Sequence, residues 1–186
     1  MDDQHRYWIP GPKRVPGFTE ICTDLGVIPP NPFYTAEGRD RGTALHVWLQ
    51  FLIAGKRPSA PPDERIAERV KGIEKFILNS GFRPIGGEEP RYDPVSGVAC
   101  TPDLWGFIGN WSYVIDLKSG AAQDYHPLQT ACQQIALNAN GFRAQKRAAL
   151  YIRGKSPRLV LHSDNMDRTK WLFHVHQYRT KHKATA

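Results

Sequence analysis

The stretch VACTPDLWGFIGNWSYVIDLK, residues 98–118, decides how this chain folds. A Gly109-Asn110 pair between two β-rich runs is a hairpin signal, so residues 98–108 and 111–118 read as adjacent strands. The run Tyr113-Val114-Ile115-Asp116-Leu117 has the continuous apolar character of a central strand, interrupted by one carboxylate. In such a hairpin Asp103 and Asp116, with 12 residues between them, converge at one end of the sheet. Asp116 and Lys118 are two apart and leave the strand on the same face. Two close carboxylates repel unless a cation lies between them, and hard oxygen ligands suit Mg²⁺ or Mn²⁺. A neighbouring lysine orients a water and steadies the charge that develops on an attacked phosphate. The bland alternative is a surface hairpin with one salt bridge. A carboxylate inside an apolar strand needs compensation once buried, which favours a working site.

Outward from this hairpin the hydrophobic period is helical. Helices are expected over about 18–25 with Thr19 as N-cap, over 35–54 and over 63–80. A first strand is expected at 84–93. After the hairpin come a helix at 125–139, strands near 147–153 and 157–162, and a helix at 166–179. The order ααβββαββα, after the short first helix, describes an α/β fold in which a sheet is flanked by helices. At 186 residues the chain is about one domain, long enough to bury a substantial core. Residues 1–34, rich in Pro and Gly, read as an arm laid over a domain at 35–180, and 181–186 as a basic tail.

Composition narrows the class. With 40% hydrophobic and 11% aromatic residues the chain is not disordered. No apolar run approaches the roughly 18 residues of a membrane span, and MDDQHRYWIP lacks a signal-peptide core. A soluble cytoplasmic protein without a membrane partner is expected. The excess of 25 Lys+Arg over 18 Asp+Glu, a net +7, favours a polyanionic partner. Cys22, Cys100 and Cys132 are odd in number and widely spaced, against a disulfide framework, a zinc ribbon or a four-cysteine iron–sulfur cluster.

The pattern Asp103…Asp116-Leu117-Lys118 resembles the signature of the PD-(D/E)XK nuclease superfamily. Arg41-Gly42-Thr43-Ala44-Leu45-His46 is similar to the "RG…H" helix of its RecB-like branch. Glu88 precedes Asp103 by that branch's spacing, Ile115–Gly120 (IDLKSG) is close to its usual wording, and Gln129 falls where a glutamine follows on the next helix. The motifs cover about residues 35–140. Two positions depart from the pattern: Gln133 stands where a tyrosine is usual, and Cys100 where a glycine commonly precedes Thr101-Pro102-Asp103.

The resemblance implies a restriction-endonuclease-like mixed central sheet flanked by helices, with an αβββαβ core. It implies a DNA nuclease holding one or two Mg²⁺ or Mn²⁺ ions through His46, Asp103, Asp116 and the Leu117 carbonyl. Glu88, Lys118 and Gln129 would join the two aspartates in catalysis, with DNA contacts from Arg39, Arg41, Gln129 and Gln133. The short length and missing cysteine quartet resemble phage or prophage recombination exonucleases more than the iron–sulfur nucleases. The implied setting is the cytoplasm of a bacterium or phage-infected cell, the implied partners DNA and a single-strand annealing or recombination protein, and an oligomeric ring is one implied assembly. An exonuclease on linear DNA is favoured; an endonuclease and a DNA-binding module without turnover are the alternatives.

Each residue also has a plainer reading. A lone histidine on an apolar helix face, as at His46, is more often a satisfied core residue. Glu88 and Glu89 point to opposite faces of a strand, so one reaches the site, and spacing selects Glu88. Arg39, Arg41, Lys56 and Arg57, and later Arg143, Lys146 and Arg147, are candidates to line a phosphate groove, with solvated surface charge as the equal alternative. His126, His162, His174, His176 and His182 lack a ligand spacing and read as incidental.

Overall fold

The computed structural model describes residues 7–9, 14–30, 35–56, 58–59 and 62–183. The rest of the arm, Arg57 and the last three residues of the tail lie outside the described residues. The chain is mixed α/β. The order is β1 (Tyr7–Trp8), β2 (Arg14–Val15), α1 (Phe18–Asp24), α2 (Ala36–Ile53), α3 (Glu64–Ser80), β3 (Arg83–Gly86), β4 (Arg91–Asp93) and β5 (Val98–Cys100). There follow β6 (Leu104–Ile108), β7 (Trp111–Lys118), α4 (His126–Ala139), β8 (Lys146–Arg153), β9 (Ser156–Leu161) and α5 (Met166–Lys183).

Five strands form one mixed sheet in the order β3-β6-β7-β8-β9. The β7–β8 pair is parallel, and every other pair in it is antiparallel. That parallel pair is what a βαβ unit produces, with α4 as its crossover. β7 is therefore central: Val114, Ile115 and Asp116 are buried. The Gly109-Asn110 turn forms as expected, with Gly109 in the left-handed region at φ 57.

Helices cover both faces. Leu45 and Leu49 of α2 and Ile66, Val70, Ile73 and Phe76 of α3 pack with Leu104, Ile115, Leu117, Ala148 and Leu150. On the other face α4 supplies Leu137 against Trp105 and Val114. Behind α4, Ala131, Cys132 and Ala136 pack with Trp171 and Val175 of α5 and with Phe18, Ile21 and Cys22 of α1. Thr35 caps α2 by accepting the Gly38 N–H at 3.0 Å, and Asp63 caps α3 by accepting the Arg65 N–H at 2.9 Å. No helix among the described residues is long and apolar enough to cross a membrane.

Four boundaries differ from the sequence reading. The strand expected at 84–93 is two, β3 and β4, because Gly87 lies tight against Asp103 and Ile53 and Pro90 has no N–H to donate. The strand expected at 98–108 breaks at Thr101-Pro102-Asp103, again at a proline, and β4 and β5 pair as a separate hairpin. α1 starts two residues earlier than a Thr19 cap requires; Gly17 is its N-cap. α5 continues to Lys183, so the first tail residues are helical, and Lys181 pairs with Asp24 at 3.0 Å.

Candidate metal centre

Three elements that start far apart in sequence bring one ligand atom each to a common point. His46 comes from α2, Glu88 from the β3–β4 connection and Asp103 from the turn into β6. Their donor atoms lie within 4.8 Å of one another. His46 Nδ1 is 2.5 Å from Glu88 Oε1 and 3.8 Å from Asp103 Oδ1. Glu88 does not project from a strand, contrary to expectation. It sits at φ 55 in the break, with its N–H donating to the Pro102 carbonyl at 2.9 Å. A non-glycine residue in the left-handed region is a strained backbone of the kind found at functional sites. Glu89 stays at the surface and pairs with Arg91 at 2.5 Å.

Beside this group lies a second one. The Leu104↔Ile115 register sets Asp103 opposite Asp116, and Asp103 Oδ2 accepts the Leu117 N–H at 2.6 Å. Asp116, fully buried, has Oδ2 2.5 Å from Lys118 Nζ, off the axis of a directed hydrogen bond. Its Oδ1 accepts from Gln133 Nε2 at 2.8 Å, and Lys118 Nζ donates to Gln129 Oε1 at 2.9 Å. Asp116 and Lys118 thus share a face, and Gln129 meets the lysine.

The electrostatics follow from three carboxylates gathered in a buried corner. Burial, then the facing Asp116 charge, pushes the Asp103 carboxyl up to about 7. Burial works against charge on His46, but the Asp103 and Glu88 carboxylates outweigh it and lift the imidazole to about 9. Burial likewise opposes the Lys118 charge, and Asp116 and Asp103 more than restore it, so the ammonium is held above its ordinary range.

Such a donor set, one imidazole and two carboxylates with a third carboxylate adjoining, could hold a divalent cation. Asp116 Oδ2, buried and ion-paired with Lys118 Nζ at 2.5 Å, adds a further carboxylate oxygen at its edge. Two of the residues expected from sequence to hold an ion are placed differently. Asp116 stands next to the three-residue group rather than in it. Leu117 contributes its N–H to Asp103, and no described contact brings its carbonyl to the group.

The expected DNA-contacting residues separate. Gln133 is 1% exposed, which leaves it no surface for DNA; it serves Asp116 instead. Arg39 and Lys56 are exposed on and after α2, while Arg41 pairs with Glu37 at 3.1 Å along the helix. Arg147 is buried against Asp167 at 3.0 Å and belongs to the core. Arg143 is exposed, and Lys146 Nζ lies over the Trp111 ring.

Sequence reasoning passed over His126. It is buried, bonded to the Tyr151 hydroxyl at 2.8 Å, and pushed down to about 4 by burial and by the nearby Lys118. His126, Gln129 and Gln133 stand at i, i+3 and i+7 on α4. Polar residues repeating on the core-facing stripe of an apolar helix were the available signal. No known family model matches the chain, and no curated protein matches it significantly.

Proposed function

We propose that this chain is a divalent-metal-dependent deoxyribonuclease of the PD-(D/E)XK kind, acting as an exonuclease on linear DNA in recombination or repair. One observation carries the reading: His46, Glu88 and Asp103 meet at a ligand-sized spacing directly beside the buried Asp116–Lys118 pair. The fold is consistent with it. Without the inserted β4–β5 hairpin, the order α3-β3-β6-β7-α4-β8 reads αβββαβ, which supports the core that the motifs imply.

In this reading His46, Glu88, Asp103 and Asp116 hold one or two Mg²⁺ or Mn²⁺ ions. The bound cation would supply Lewis-acid stabilisation of the charge that develops on the phosphoryl oxygens. The chain's own groups do the rest. Lys118, steered by Gln129, orients the attacking water and donates to the phosphate. Gln133 fixes the Asp116 carboxylate, and the Leu117 N–H fixes that of Asp103.

Digestion of linear and of covalently closed circular DNA, with Mg²⁺ and with EDTA, tests the proposal. Mg²⁺-dependent loss of the linear substrate alone is expected. Cutting of the closed circle would replace the exonuclease by an endonuclease, and salt-sensitive DNA binding without Mg²⁺-dependent products would leave only a binding module.

A further inference from the structure

The sheet register lays three side chains in a row across the end of the sheet that holds the site. Lys118 on β7 is opposite Tyr151 on β8, and Tyr151 is opposite Arg158 on β9. All three share the α4 face. Lys118 reaches Gln129 and the Tyr151 hydroxyl reaches His126, while the Arg158 guanidinium lies 5.4 Å from the centre of the Tyr151 ring. With neighbouring strands about 4.8 Å apart, the row runs about 10 Å from Lys118 to the edge strand.

The cations near this row differ in how they are engaged. Lys118 is paired with Asp116, and Lys155, at the β8–β9 turn, lies 3.3 Å from Glu68. Arg158 is exposed and makes no ion pair with a described residue. From Tyr125 to Ser163 the sequence carries six Lys and Arg and no Asp or Glu. Of these six, Arg153 and Arg158 are exposed at the Lys118 end of the sheet and make no ion pair with a described residue, whereas Arg147 is buried against Asp167 and Lys146 lies over Trp111 at the other end. Tyr151 is buried and tied at its hydroxyl, so its ring is a fixed platform beneath the guanidinium. A guanidinium held over a fixed ring in this way loses less freedom on forming its paired bonds to a phosphate.

We propose that Arg158 grips a phosphodiester of the bound nucleic-acid strand next to the one presented at Lys118, so that the strand leaves the site along the Lys118–Tyr151–Arg158 row. This rests on the nuclease reading for what Lys118 contacts. The competing role for Arg158 is structural: a side chain that covers Tyr151 and guards the exposed edge of β9.

Binding of the full chain to a labelled DNA with a single-stranded end, measured in EDTA across a salt series, separates the two. Arg158→Gln keeps a polar stem over Tyr151 and removes the charge. It is expected to weaken binding about fivefold at low salt and to reduce the slope of log affinity against log salt by about one. Arg158→Lys is expected to restore the slope. Lys75→Ala, which removes an equal charge from an exposed position on α3, is expected to leave affinity and slope unchanged. Wild-type affinity and slope in Arg158→Gln, an equal loss in Lys75→Ala, or no DNA binding by the wild type would each overturn the proposal. Arg158-dependent binding by a chain that yields no Mg²⁺-dependent product would instead overturn the nuclease reading and leave the grip in place.

Discussion

Gln129 and Gln133 stand one helical turn apart on α4 and hold opposite ends of one ion pair. Gln129 Oε1 accepts from Lys118 Nζ at 2.9 Å, and Gln133 Nε2 donates to Asp116 Oδ1 at 2.8 Å. The Gln133 amide has only one workable orientation, because a flipped carbonyl would face a carboxylate. Its Oε1 is then left buried with no partner among the described residues. An unpaired buried carbonyl costs roughly 1–3 kcal/mol, a stability penalty placed directly behind Asp116.

Replacing Gln133 by Leu removes the donor and the orphaned carbonyl together. The melting temperature is therefore expected to stay close to that of the wild type. Asp116 loses its fixed orientation, and removing a group that hydrogen-bonds a metal-ligating carboxylate costs about 10–100-fold in metal affinity or activity. Calorimetric Mn²⁺ titration together with cleavage rates checks this; unchanged affinity and rate in a stable Gln133→Leu protein would remove Gln133 from the site.

Lys118→Ala is expected to abolish cleavage, and it also strands a fully buried carboxylate. Removing one partner of a buried pair costs about 3–5 kcal/mol, so the variant should denature at clearly lower urea. Adding Asp116→Asn removes the stranded charge and should recover much of that stability without recovering activity. Denaturation curves and digestion assays on the single and double variants give both readouts. Full activity in Lys118→Ala would sink the mechanism.

The hairpin was legible because its signals are local: a Gly-Asn turn, and an apolar run with one carboxylate whose neighbour two residues on must share its face. The burial of Gln133 was not. A glutamine on a helix looks solvent-facing until the tertiary packing of α4 against β7 fixes which stripe turns inward. Glu88 shows a different limit. Spacing selected, over Glu89, the carboxylate that meets His46 and Asp103, but for a strand geometry that the chain does not adopt. The left-handed backbone there depends on contacts with Pro102 and Asp103, 14 and 15 residues away. His126 read as incidental because its partner, Tyr151, lies 25 residues on in a different strand.

The strained connection at Glu88 makes its own prediction. Glu88→Asn removes a carboxylate from a crowded group and puts a residue tolerant of left-handed backbone at φ 55. Below about pH 9 the variant also loses the partner of protonated His46; above it, with His46 neutral, thermal stability in EDTA is expected to match or exceed that of the wild type. Mn²⁺ affinity is expected to fall about tenfold or more, as loss of a ligand requires. Gly87→Ala tests the positioning from the other side, since a methyl group there collides with the Asp103 carbonyl and Ile53. It should weaken Mn²⁺ binding with Glu88 itself intact. Wild-type affinity in both variants would exclude Glu88 from the ligand set.

The protonation of the site sets a pH dependence whose sign can be worked out. His46 is raised to about 9 in the folded chain, against about 6.5 in an unfolded one. Its stabilisation is therefore complete below about pH 6.5 and is lost as pH rises through 9. Asp103, raised to about 7 against about 3.9 unfolded, also binds its proton more tightly when folded, and its contribution falls as pH rises toward 7. His126, lowered to about 4, has the opposite sign, but its effect is confined below about pH 6.5. Between pH 6.5 and 9 the first two act alone, so the melting temperature in EDTA should decline across that interval. A cation needs His46 neutral and Asp103 ionised, so the rise in melting temperature produced by saturating Mg²⁺ should grow over the same interval. Scanning calorimetry at several pH values, with EDTA and with Mg²⁺, measures both trends. A flat profile in EDTA, or a Mg²⁺ shift that does not change with pH, would separate His46 and Asp103 from cation binding.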